Sequence, residues 1–526
     1  MLTASFTLRE NYWEEFELQD EDIEFLYTHL LEKETPLTPQ ELIEVLVKER
    51  IQREVQKIEQ QRLAGGEIYL PEKTYDIDQS LVFPALGWKR GNVVGIRDGW
   101  NPDAEEFSVI HVQFEDGEKK EFASQVVDHP LNQPPDIIED EVPDPDSVIR
   151  VYKDALVQQL EKDLRANTDF VYIAGRWFPQ ALLVDVHTGH LNLAEAVLDM
   201  EGGGPLPTSA LLEQVELPSN ENPKLVEFSL DLALQEDERF DEVGPAGEVL
   251  WCLRRLEPEG VREIPLYLRY TPIEHDRSLI TPEMLALERD LDDELSNFDE
   301  SFPEQKEVVV PLLFPHWRSG TLPLSPRIRP LFPTAYEAPR IRFQLIDGLS
   351  DKAFPGWVVR KEGYVYGLDE WYKERGLMPG SLVRVQRGKK AGEVIVKADT
   401  QRSRRDWVRT VLIGTDGGLV FAMLKQVVSA AYDERMAIAV PDVEQLDQIW
   451  EQKQRSPSFE RIVVNIVREL TKLNPQSHVH ASELYAAVNL VRRCPPGPIL
   501  ALLASRPWFV HVGDLHFRFD DSENRG

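Results

Sequence analysis

The chain has 526 residues, of which 42% are hydrophobic and 29% charged. Both fractions are close to globular averages and exclude wholesale disorder, and the length suggests about three to five domains. With 58 Lys and Arg against 92 Asp and Glu, the formal charge is −34, so this is no uniform nucleic-acid coat; any contact with DNA or RNA has to come from a locally basic module. The two cysteines, Cys252 and Cys494, stand far apart, which excludes a disulfide framework or a cysteine zinc cluster and fits a reducing compartment.

The acidic N-terminus lacks the basic and apolar regions of a signal peptide, and no apolar run reaches the ~18 residues of a membrane span. A cytoplasmic protein with no membrane contact is therefore expected. Residues 1–65 read as helical: Leu26, Leu30 and Leu31 recur at helical spacing, and Thr38, Pro39 and Glu41 form a start signal for a second helix. The segment fits a helix-turn-helix unit or a helical hairpin packed on a neighbour. Its 15 acids against seven bases favour the hairpin.

Residues 66–130 switch to a period of two, with Asp98-Gly99, Asn101-Pro102 and Asp116-Gly117 as turns. About five short strands suggest a small SH3-like β-barrel. Residues 131–146 form an acidic, proline-rich linker. Residues 147–270 read as four amphipathic helices followed by a hairpin, ERFDEVGPAGEVLWCLRRL, with Thr208 as an expected N-cap and Gly202-Gly203-Gly204 as a helix stop. Helices closed by a terminal two-stranded hairpin are the layout of a winged helix. Residues 271–305 read as a second acidic connector, with nine acids and one base from Glu283 to Glu304 and an exposed helix within it.

Residues 306–409 carry 20 bases and 11 acids, net +9, on short strands around one helix that stops at Gly376. Residues 410–455 suggest a helical connector around FAMLKQVVSAAY and DVEQLDQIWEQK. Residues 456–526 repeat the plan of three helices and a hairpin, WFVHVGDLHFRF, turning at Gly513-Asp514. The strand from Arg239-Phe240, the turn at Gly244 and the return through Leu250-Trp251-Cys252-Leu253 echo Trp508-Phe509, Gly513 and Leu515-His516-Phe517. This points to two copies of one winged-helix plan. The fold class expected is α+β multidomain: N-terminal helices, a small SH3-like barrel, two winged helices and a basic β-pseudobarrel.

Two resemblances sharpen this. Asp237-Glu238-Arg239-Phe240, Gly244 and Trp251-Cys252-Leu253 resemble the winged-helix domain of the RNA polymerase delta subunit; the C-terminal copy has Pro507-Trp508-Phe509 in place of the Asp and Arg. The basic module resembles the DNA-binding pseudobarrel of plant transcription factors and restriction-enzyme effector domains, in the arm LPLSPRIRPLFP, the strand RIRFQLIDG and the turn Leu377-Met378-Pro379-Gly380-Ser381, where Ser replaces that family's usual Asp. The resemblances imply double-stranded DNA as a ligand and RNA polymerase as a possible protein partner.

Affinity for DNA comes mostly from Lys and Arg neutralising phosphates. The candidate contacts are Arg384, Arg387, Lys389 and Lys390 around a glycine turn; Arg402, Arg404, Arg405 and Arg409; Arg327 and Arg329 in a proline-bounded arm; Trp357, Arg360 and Lys361 for stacking or base contact; and Arg492, Arg493, Arg506 and Arg518 of the C-terminal unit. The alternative is that these bases pair with the chain's own acids. The acidic hairpin with Glu236, Asp237, Glu238, Asp241 and Glu242 favours protein contact. His187-Thr188-Gly189-His190 reads as a surface turn, and His478, His480, His511 and His516 as structural. No nucleotide-binding, hydrolase or metalloprotease motif occurs. A non-enzymatic, DNA-binding, transcription-associated protein with no cofactor or metal is the leading expectation. An interaction scaffold and a DNA-recognition component of a restriction system are the alternatives. Competition of the connector 283–304 with DNA for the basic face is a further expectation.

Overall fold

The computed structural model describes residues 10–63, 66–86, 89–100, 107–115, 117–132, 143–217, 221–298, 302–390, 392–414, 417–451 and 458–520; the side chains of 10, 11, 58–63, 401 and 402 fall outside the description. Asn101-Pro102, Asp116 and most of the 131–146 linker also lie outside it. The chain is mixed α+β and forms two compact units, one of Met1–Val184 with Ser219–Phe228 and one of Asp185–Pro218 with Ser229–Gly526.

In the first unit, α1 (Glu10–Glu14) and α2 (Asp20–Lys33) precede α3 (Pro39–Leu63). Thr38 caps α3 as its sequence suggests: the Glu41 amide donates to Thr38 Oγ1 at 3.3 Å, and the Thr38 amide donates to Glu41 Oε2 at 2.8 Å. Five strands follow: β1 (Glu67–Ile68), β2 (Ser80–Phe83), β3 (Lys89–Asp98), β4 (Ser108–Phe114) and β5 (Lys119–Ser124), paired in chain order. The sheet curls around Tyr69, Phe83, Phe114 and Phe122 until the segment after β1 meets the end of β5, with the Val126 amide on the Pro71 carbonyl at 2.8 Å. Next come α4 (Pro145–Ala166), which starts on an Asp144 cap, and the hairpin β6 (Phe170–Ile173) and β7 (Arg176–Pro179).

The second unit opens with α5 (Thr188–Met200), β8 (Leu206–Pro207), α6 (Thr208–Leu212), α7 (Pro223–Glu236), β9 (Phe240–Glu242) and β10 (Leu250–Leu253), the division between units falling inside α7. Thr208 is not the cap of α6. Pro207 holds that position, and the Thr208 hydroxyl donates instead to buried Asp231, which also accepts the Trp251 indole N–H at 2.9 Å. Then come α8 (Glu259–Arg262) and α9 (Pro282–Leu291).

The basic module is a seven-stranded sheet of β11 (Glu307–Pro311), β12 (Thr321–Pro323), β13 (Arg340–Asp347), β14 (Ala353–Val359), β15 (Tyr364–Tyr366), β16 (Leu382–Arg387) and β17 (Glu393–Ala398), with α10 (Phe314–Ser319) and α11 (Asp369–Arg375) between strands. Its order is β11-β16-β17-β13-β14-β15-β12, and only the β13–β17 pair is parallel. Gly376, in the left-handed region, ends α11 as expected.

The expected helix around FAMLKQVVSAAY is a strand. β18 (Thr400–Ile413) and β19 (Leu419–Ala430) form one long antiparallel ribbon. Phe421, Val428 and Ala430 face inward, and Lys425 and Val427 face solvent, a pattern that suits a strand half-covered on each face. The chain ends with α12 (Val443–Glu451), α13 (Phe459–Thr471), β20 (Val479–His480), α14 (Ala481–Val488), α15 (Pro496–Ser505), β21 (Phe509–Gly513) and β22 (His516–Phe519).

One supersecondary plan occurs three times: helix, short strand, two helices and a hairpin whose last strand sits between the other two. In the second unit the sheets run β8-β10-β9 and β20-β22-β21. In the first unit Leu37 alone serves as the short strand, bridging Trp177 of β7. The registers coincide. Leu37, Leu206 and Val479 pair with the buried aromatics Trp177, Trp251 and Phe517. Two residues beyond each aromatic, Pro179, Leu253 and Phe519 pair with Phe170, Phe240 and Phe509. The first copy is split by the five-stranded sheet, inserted between α3 and α4. Residues 147–184 therefore complete an N-terminal copy and do not open the central one.

Candidate nucleic-acid interface

Most arginines of the basic module are held by the chain itself. Arg384 on β16 donates to Asp399 at 2.7 Å and Glu307 at 2.8 Å, and those bonds raise its pKa. Arg387 donates to Glu304 at 2.8 Å and to the Pro330 carbonyl at 2.6 Å. Arg327 donates to the Arg289 carbonyl at 2.6 Å, lies 3.6 Å from Asp290 and sits over the Phe302 ring. Arg360 reaches the Ala338 carbonyl at 2.9 Å, and Arg329 approaches the Leu324 carbonyl at 3.5 Å. Lys390 is exposed and 3.8 Å from Glu393. Lys361 and Lys389 are exposed.

Trp357 is not available for stacking on a base. It is 5% exposed and packs with Val243 and Cys252 of the central copy, beneath the Arg342 guanidinium at 5.7 Å. The acidic hairpin of that copy meets a protein surface within the chain: the Arg342 amide donates to the Val243 carbonyl at 2.8 Å, the Ala246 amide to the Thr334 carbonyl at 2.6 Å, and Arg340 bonds Asp241.

Arg493 is not a surface base either. It is fully buried, with Asp293 Oδ1 and Glu294 Oε1 both at 2.7 Å and Asn489 Oδ1 at 3.1 Å. The Tyr485 hydroxyl donates to Asp293, and His316 lies 3.1 Å from Glu294. Burial pushes the Asp293 carboxyl up despite Arg493. Burial also opposes ionisation of Glu294, but Arg493 and His316 hold its carboxyl well below the usual range. The segment read as an acidic connector is thus folded: Met284, Glu288 and Asp293 are buried, and its acids Asp290, Asp293, Glu294 and Glu304 pair with Arg327, Arg493 and Arg387. Arg492 sits over Phe459 and Arg506 pairs with Glu460 at 3.0 Å. Arg518 is exposed.

The ribbon presents a different surface. Alternation places Arg405, Trp407, Arg409 and Val411 on one face with their partners Val427, Lys425, Met423 and Phe421. Near the turn this face is buried, because Val411 and Phe421 join the core of the C-terminal copy. Arg409 marks the border: it is 11% exposed and donates to Glu483 at 2.6 Å. Beyond it Trp407 is 58% and Val427 64% exposed, with Lys425 Nζ 5.4 Å from the Trp407 ring centroid and Arg405 exposed alongside. The opposite face is seated on the segment 436–439, with Val408 and Val428 against Ala437 and Ala439, and Asp406 there takes Arg404 at 3.0 Å and the Tyr432 hydroxyl at 2.9 Å. The Arg402 side chain lies outside the described residues.

Trp407 and Lys425 were not legible as partners, since the strand bearing Lys425 reads as a helix in sequence; the signal was the alternation Phe421, Met423, Lys425, Val427 opposite Trp407. The histidines serve locally. His187 Nδ1 accepts the Gly189 amide at 3.1 Å to cap α5, and His480 Nδ1 accepts the Ser482 amide at 3.1 Å to cap α14. Among the described residues, no group of three His, Cys, Asp or Glu side chains is placed to hold a metal ion, and no helix is long and apolar enough to cross a membrane. No protein-family model, curated protein or solved structure matches the chain.

Proposed function

We propose that the chain is a non-enzymatic DNA-binding protein, associated with transcription, that meets the duplex with the β18–β19 ribbon. The observation that carries this is the outer ribbon face, where Trp407 stands exposed between Lys425 and Arg405. A two-stranded ribbon fits the major groove, two bases supply phosphate or base-edge contacts, and an exposed indole offers a stacking surface. In this reading the three repeated units are winged helices, the first five-stranded sheet is an SH3-like barrel and the seven-stranded sheet is a pseudobarrel that sets the ribbon in place. The barrel's own bases contribute less, because Arg384, Arg387 and Arg327 are already held by carboxylates or carbonyls. RNA polymerase is the protein partner that the winged-helix resemblance suggests.

The test is a salt titration of the full chain on random duplex DNA, beside an Arg405→Ala/Lys425→Ala variant and Trp407→Ala. Each lost phosphate contact lowers the salt slope by about 0.9, so the double variant should lose nearly two units of slope. Equal binding by wild type and double variant would overturn the ribbon assignment. A second reading rests on Val427 and Met423, exposed on the same face: the ribbon docks a protein. Absence of DNA binding at low salt would leave that reading in front.

A further inference from the structure

The basic module holds a cavity of about 250 Å³ away from the ribbon. Four aromatic residues line it, Phe354 and Trp357 of β14, Tyr366 of β15 and Trp371 of α11, together with Asp347, Glu370 and Glu374. Three of the rings are positioned. Tyr366 pairs directly across from Trp357, so both project from one face of the sheet. The Trp371 indole N–H donates to Asp347 Oδ1 at 3.2 Å, and Asp347 is itself fixed by Arg375 and Ser350. Gly367 follows Tyr366 with φ +117°, and a Cβ there would lie 2.6 Å from the Pro355 carbonyl oxygen; this close approach keeps Tyr366 against the strand that carries Trp357.

The lining selects a ligand class. Lys352 is the one cation among the lining residues, against the carboxylates of Asp347, Glu370 and Glu374, so the lining is net negative and repels a phosphate or carboxylate. The cavity is also below the ~300–1,000 Å³ of pockets that enclose whole drug-sized ligands, and suits a compact headgroup. Aromatic faces closed by carboxylates attract a desolvated organic cation through the ring quadrupole. The carboxylates can be shared with a ligand: Glu370 is 82% and Glu374 54% exposed, in surface pairs with Lys373 and Lys352 that hold weakly.

We infer that this cavity is an aromatic cage for a methylated ammonium group, carried by a free small molecule or by a methylated lysine of another protein. The site stands independently of the ribbon.

The experiment uses the full chain and ligand-observed NMR or calorimetry with choline, with its neutral isostere 3,3-dimethylbutan-1-ol, and with a short peptide bearing trimethyllysine or plain lysine. Choline should bind on the order of tenfold more tightly than the isostere. Tyr366→Leu should abolish that preference and Tyr366→Phe should retain it. Glu370→Gln, at an exposed position that does not touch the core, should weaken choline severalfold. Tighter binding of the trimethyllysine peptide than of choline assigns the cage to a protein side chain, and the reverse order assigns it to a free ligand. The proposal falls if no quaternary ammonium binds, if the isostere equals choline, if both peptides bind and plain lysine equals trimethyllysine, or if Tyr366→Leu changes nothing.

Discussion

Replacing Arg493 with Met separates a structural arginine from a DNA contact. Arg493 is fully buried and bridges Asp293 and Glu294 at 2.7 Å each. Met keeps most of the volume and removes the charge, leaving two carboxylates in the interior beside Tyr485 and His316. Breaking a buried ion pair in this way costs about 3–5 kcal/mol. At roughly 2–4 °C per kcal/mol for a large domain, the melting temperature of the full chain should drop by about 6–20 °C. The loss should be smaller near pH 5, where protons neutralise the stranded carboxylates more readily. The triple variant Arg493→Met/Asp293→Asn/Glu294→Gln should recover much of it, because neutral amides are cheaper to bury than unpaired charges. Differential scanning calorimetry near pH 5 and near pH 7 reads all three effects. A shift under about 2 °C, or a triple variant no better than the single one, would refute the account of a buried charge cluster. Normal stability with weakened DNA binding would return Arg493 to the surface.

Three further changes probe the second unit. Burial raises the Glu242 carboxyl from 4.5 to about 8, so the folded state keeps a proton that the unfolded chain gives up. Glu242 therefore favours folding most below about pH 4.5 and loses that contribution as pH climbs to about 8. Glu242→Gln should match wild type in acid and exceed it in thermal stability at pH 8, and an unchanged difference across that range would sink the argument. Thr208→Val removes the hydroxyl that shares Asp231 with the Trp251 indole in a buried site, and should cost about 1–3 kcal/mol by denaturant melts. Gly380 has φ +91°, and a Cβ there would meet the Ala437 backbone at 2.3 Å; Gly380→Ala should cost at least about 1–3 kcal/mol from strain alone, and a melt within error of wild type would show that the turn can relax.

What the sequence disclosed follows from how local each signal is. Hairpins with an aromatic, a turn and a returning apolar strand are written in about a dozen consecutive residues, and both those read in sequence are present. Gly376 and Thr38 act within one turn of helix, and both behave as their neighbours suggest. The third copy was hidden because its halves are separated by an entire five-stranded sheet, so that Leu37 and Trp177 pair across 140 positions. The strand 419–430 read as a helix because its apolar residues satisfy either period until the partner strand is known. Charge was the weakest guide. A run of arginines looks like a phosphate-binding face, but whether Arg384 or Arg493 faces solvent depends on where Glu307, Asp399, Asp293 and Glu294 come to rest, and that is decided by long-range packing.

The ribbon also determines which piece of this protein can be tested. A fragment 306–409, the span of the basic composition, cuts β18 before its last residues and removes β19 altogether. It would leave Val408 without Val428, Ala437 and Ala439, and Arg409 without Glu483. The same cut takes away the Ala431 amide that bonds the Asp399 carbonyl at 2.9 Å and the Ala431 carbonyl that receives the Leu382 amide at 2.9 Å, so the damage reaches β16, inside the seven-stranded sheet. Leu313 and Phe314 of this fragment belong to a core completed by Val411, Phe421, Met436 and the helices of the C-terminal copy. The fragment should lack cooperative melting and near-ultraviolet circular dichroism, whereas the full chain should show both. Cooperative unfolding of 306–409 would mean that the seven-stranded sheet stands without the ribbon's second strand. In that case the outer face of Arg405, Trp407 and Lys425 would be an appendage of the seven-stranded sheet and not a surface built jointly by sheet, ribbon and C-terminal copy.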